Sequence, residues 1–116
     1  MEIEYDLSRI DEKRLKDATV SYLKGMDFDD ETACMIANTG VDNLKENIEE
    51  LIKLLNGGEL QKAADAAHTV KGILWNMGLQ EEGMLFKKLQ LAILDGKPVE
   101  EVVQLLEDAL DTISKE

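Results

Sequence analysis

The chain has 116 residues, 44% of them apolar and only 4% aromatic, with one proline, eight glycines and a formal net charge of −12. That length buries one core, and the composition favours a helical bundle over a sandwich or barrel. The charge argues against nucleic acid or an anionic membrane as partner, because both select basic surfaces.

Read in chain order, Ser8 can cap a helix running to about Lys24, with Gly25 as its stop. A short helix follows over 30–37, capped by Asp29 and ended by Asn38-Thr39-Gly40. Val41, Leu44, Ile48, Leu51, Ile52 and Leu55 then recur at helical spacing until Asn56-Gly57-Gly58 ends the run. The next helix, about 59–77, carries Leu60, Ala63, Ala64, Ala67, Val70, Leu74 and Met77 on one broad face. After Gly78 a helix is expected over about 80–94, and Gly96-Lys97-Pro98 separates it from a last one. Pro98 suits the first turn of that helix, with Glu100 and Glu101 beside it. The expected fold is all-α: one domain over 1–116, with two N-terminal helices in 1–40 and an up-down-up-down four-helix bundle over 41–114.

Cys34 is alone, so no internal disulfide forms, and it reads as a small apolar filler. No segment has metal-ligand spacing, a signal peptide or membrane-spanning length. The chain is therefore expected in the cytoplasm, and Met1 and the polar Ser114-Lys115-Glu116 read as natural ends.

The chemistry concentrates on the helix over 59–77. It holds the only histidine, His68, in Ala66-Ala67-His68-Thr69-Val70-Lys71-Gly72. Residues turn by about 100° around a helix, which sets His68 roughly 120° from the centre of the apolar stripe, toward solvent. Its surface neighbours are Ala64, Asp65, Lys71, Gly72 and Trp75. Ala64 and Gly72 are expected to leave open ground on both sides of the ring. Gly72 costs the helix about 1 kcal/mol against alanine, which close approach of a partner explains. Lys71, one turn on, can pair with oxygens of a group attached to His68. Residues 59–90 also carry four basic and four acidic residues, a neutral stretch in an acidic chain. An anionic group meets less repulsion there.

His68 followed by Lys71-Gly72 and then by Gly78, with Leu85, Leu89 and Gln90 beyond, resembles the signature of histidine phosphotransfer domains. The resemblance implies a carrier that accepts a phosphoryl group on His68 from a receiver-domain aspartate and passes it to another receiver. Imidazole suits the task as a nucleophile near neutral pH. The implied partners are receiver domains of response regulators or hybrid sensor kinases, with the chain acting as a monomer. Gln90 is implied to hydrogen-bond near the imidazole and fix its orientation. Ala64, Asp65, Gly72 and Trp75 are the expected docking residues. No cofactor and no metal are implied, the magnesium being held by the receiver, and no ATP site is recognisable, so the chain is no self-sufficient kinase. The alternative is a helical adaptor that docks receivers or other signalling domains without carrying phosphate.

The chain departs from the family pattern in three ways. Ile73, Leu74 and Trp75 stand where small residues are usual, and Glu82 stands where Leu or Ile is, which suggests a shifted start of its helix. Gln90 replaces the glutamate of chemotaxis-kinase domains. Trp75 is expected either in the docking surface or folded over the neighbouring helix.

Overall fold

The computed structural model describes residues 1–116 and is all-helical. A single turn of 3-10 helix, Leu7–Arg9, precedes α1 (Glu12–Lys24), α2 (Asp30–Asn56), α3 (Leu60–Asn76), α4 (Gln80–Leu94) and α5 (Val99–Ile113). Each helix packs on the next in sequence. Twenty-five buried side chains, from Ile10 to Ile113, form one continuous core. The molecule measures 44 × 24 × 20 Å, its long axis matching the 27 residues of α2, about 40 Å of helix. No helix is long and apolar enough to cross a membrane.

There are five α-helices where the sequence suggests six. The expected break at Asn38-Thr39-Gly40 is absent, and α2 runs through it. Ala33, Ala37, Val41, Leu44 and Ile48 stay in helical phase across the glycine, and all are buried. Gly40 serves approach rather than termination. A Cβ built there would lie 3.0 Å from Sδ and 3.1 Å from Cγ of Met77, so its lack of a side chain lets α3 sit close. Continuity also corrects Cys34: one residue past Ala33 on the same helix, it is turned out of the core and exposed.

The caps explain where the first two helices begin. Asp11, not Ser8, caps α1, its carboxylate accepting from the Arg14 N–H at 3.2 Å. Asp29 caps α2 by accepting from the Thr32 N–H at 2.7 Å. That backbone hydrogen bond holds the Asp29 carboxyl below the ordinary carboxylate range. The cap therefore stabilises the fold above the unfolded carboxylate pKa and is lost as pH falls through the lowered one.

The two chain ends clasp one another. The Asp11 N–H donates to the Ile113 carbonyl at 2.9 Å, and the Lys115 N–H donates to the Arg9 carbonyl at 2.7 Å. Ile3 and Asn56 exchange two further hydrogen bonds, tying the first residues to the end of α2. Ser114, which reads as part of a polar tail, is 5% exposed because it closes this clasp.

Candidate functional site

α3 is held between two helices, and its sequence shows how. Ala63, Ala67, Val70 and Leu74 point into the core, while Ala66 is covered on one flank and Ala64 on the other. Leu60, in the first turn, is 45% exposed and leaves the stripe expected of it. The other exposed residues of the helix are Gln61, Lys62, Asp65, His68, Thr69 and Asn76. His68 thus lies on the solvent face of a helix whose other faces are packed.

Ala64 departs from expectation. It is 1% exposed and belongs to the core, so it gives no open ground beside the imidazole. The reason is angular: Ala64, Lys71 and Trp75 all turn from His68 toward the flank that α4 covers. The opening lies on the other side, at Gly72. A Cβ built on Gly72 meets nothing within 4 Å. Asp65 is exposed one turn before His68, and its carbonyl accepts from the Thr69 hydroxyl at 3.1 Å.

Trp75 is folded over the neighbouring helix, in the second of its two expected positions. Its indole lies against the backbone of Gly83, where a Cβ would overlap the Cδ1 atom of the ring. The indole Nε1–H donates to the Gln80 carbonyl at 3.2 Å, leaving the ring half-buried. Gly83 is the residue that sequence reasoning missed. Its signal was a glycine inside a helix, facing a tryptophan where the pattern has small residues. The bulk that α3 gained is absorbed by the side chain that α4 lacks.

Lys71 sits with its Nζ 4.6 Å from the centroid of the Trp75 ring, and none of the ion pairs in the molecule involves it. Glu82 does not shift its helix. α4 begins at Gln80, and Glu82 stands in its acidic first turn, where the helix dipole favours a carboxylate.

Gln90 is half-buried on α4. It lies seven residues beyond Gly83, as His68 lies seven residues before Trp75. Along antiparallel helices these two-turn steps bring Gln90 to the level of His68. The expected hydrogen bond is not formed, because the imidazole is turned to solvent and neither side chain joins the hydrogen-bond network. Further along α3, an open groove of about 310 Å³ runs between Ile73 and Asn76 and the Met35 and Ile36 side chains of α2. Sequence reasoning placed a helix end beside it and overlooked it.

No cluster of histidine, cysteine and carboxylate residues can hold a metal ion. The geometry is that of an accessible nucleophile with open ground on one side, a cation on the other and no enclosing pocket. A family model described as Hpt domain matches residues 38–116, beginning within α2 and covering α3, α4 and α5. No curated protein and no solved structure matches the chain.

Proposed function

The chain belongs to the Hpt domain family, whose members serve histidine phosphotransfer in phosphorelays, and from that premise we propose that it is a carrier between two receiver domains. The observation that carries the reading is the sole histidine, exposed on α3 with unfilled space at Gly72. A ring nitrogen of His68 attacks the phosphorus of a receiver's aspartyl phosphate. The phosphorus–nitrogen bond forms as the phosphorus–oxygen bond breaks, and the aspartate leaves as a carboxylate. The reverse step on a second receiver returns the histidine. Lys71 neutralises the phosphoryl oxygens, and Gln90, level with His68, hydrogen-bonds the modified ring.

Receivers dock over Asp65 and Gly72, with the exposed edge of Trp75 at the rim. The functional unit is a four-helix bundle of α2, α3, α4 and α5 with α3 as the phosphoacceptor helix; α1 and the residues before it buttress the bundle. It works as a monomer in the cytoplasm.

Incubation of the full chain with a phosphorylated, labelled receiver domain tests the reading. Label should move to the chain and be lost in acid but kept in alkali, the behaviour of a phosphoramidate. Binding of the receiver without transfer of label would overturn the carrier in favour of an adaptor.

Gly72 supplies an independent check. Alanine there should raise stability by up to about 1 kcal/mol in thermal denaturation, because the helix gains and nothing is hit. Gly72→Gln should keep the fold and lower the transfer rate by blocking approach. A rate equal to wild type with glutamine would show that the glycine does not serve access.

A further inference from the structure

Lys71 has no carboxylate partner, yet its ammonium is not free in solvent. It rests over the face of the Trp75 indole, 4.6 Å from the ring centroid. The indole cannot easily swing away, because its Nε1–H is held by the Gln80 carbonyl and its underside lies on the Gly83 backbone. A rigid aromatic plate one turn beyond Lys71 therefore binds the same cation that the phosphoryl group on His68 needs. The ring quadrupole attracts an ammonium weakly at exposed sites, whereas a phosphoryl group offers two negative charges and three acceptor oxygens.

From this geometry we infer that Trp75 is a resting seat for Lys71, which the ammonium leaves for the phosphoryl group when His68 is modified. The inference rests on the carrier reading and adds a positioning role for Trp75. Leaving the seat costs the phosphorylated form the cation–ring attraction enjoyed by the unmodified one. The seat thus makes phosphohistidine less favourable and its phosphoryl group easier to pass on. The chain has one tryptophan, so its own fluorescence reports the vacancy.

The experiment uses phosphoramidate, a donor too small to need a docking surface. Its phosphorus–nitrogen bond breaks, releasing ammonia, as the bond to the His68 ring forms. The indole emission of the full chain should change in step with label uptake, and Lys71→Met, which takes label more slowly for want of the cation, should show no such change at equal labelling. In parallel, Trp75→Leu should shift the phosphotransfer equilibrium with a receiver toward phosphohistidine by about two- to fivefold, the range for an exposed cation–ring pair. Trp75→Phe, which keeps a ring face, should shift it less, and in the Lys71→Met background Trp75→Leu should shift nothing. The equilibrium between separated proteins is independent of docking affinity, so a merely structural tryptophan would not move it through Lys71. Label on His68 with unchanged emission, or an equal shift in the Lys71→Met background, overturns the seat alone. Failure of His68 to take label overturns the carrier reading and the seat with it.

Discussion

His68→Gln should leave a folded helical protein that takes up no phosphoryl group from any donor. The histidine is exposed and its side chain joins no hydrogen bond, so its replacement removes no packing and leaves no buried polar atom without a partner. Glutamine is the better helix former, and stability should stay within about 0.5 kcal/mol of wild type. The chemistry, in contrast, is lost outright. An amide nitrogen has no available lone pair to attack phosphorus, and no other imidazole exists in the chain. Label uptake beside circular dichroism checks both halves. Retention of acid-labile label would assign the phosphoryl group to another nucleophile and remove His68 from the mechanism.

Much of this was legible in the sequence because helices repeat their apolar residues at a spacing that burial enforces. α3, α4 and α5 begin and end within about two residues of their expected limits, since Gly58, Gly78 and Gly96 all adopt positive φ at the turns. The solvent placement of His68 followed from the same wheel. Where the sequence misled, the cause was a contact between helices distant in the chain. Gly40 reads as a stop because glycine is a poor helix former, yet what it answers is Met77 pressing from α3. Ala64 reads as open ground because a wheel shows one helix alone, and α4 covers that flank. Trp75 reads as an obstruction until Gly83 is placed opposite it. Each misreading concerns a small residue, whose purpose is set by whatever comes to occupy its space.

Gly78→Ala should be the most destabilising of the single-methyl additions, by about 2–4 kcal/mol in chemical denaturation. Two separate costs meet at this position. Gly78 has φ +79°, and with Leu79 it closes the end of α3: the Gly78 N–H donates to the Trp75 carbonyl at 3.0 Å and the Leu79 N–H to the Leu74 carbonyl at 2.8 Å. An L-residue resists that backbone conformation, and abandoning it would free carbonyls at the end of the helix bearing the histidine. The second cost is steric. A Cβ on Gly78 would overlap the Tyr22 ring, with Cδ1 at 2.6 Å and Cδ2 at 2.7 Å, so α1 would lose its seat on the α3–α4 turn. The two costs can be separated because Tyr22 is 38% exposed and its ring can be removed. In a Tyr22→Ala background the added penalty of Gly78→Ala should fall by the steric share and keep the backbone share of about 1–2 kcal/mol. A full penalty in that background would make the turn alone responsible. No penalty there would mean that the chain accepts alanine at positive φ, and that Gly78 stands where it does only to admit the ring.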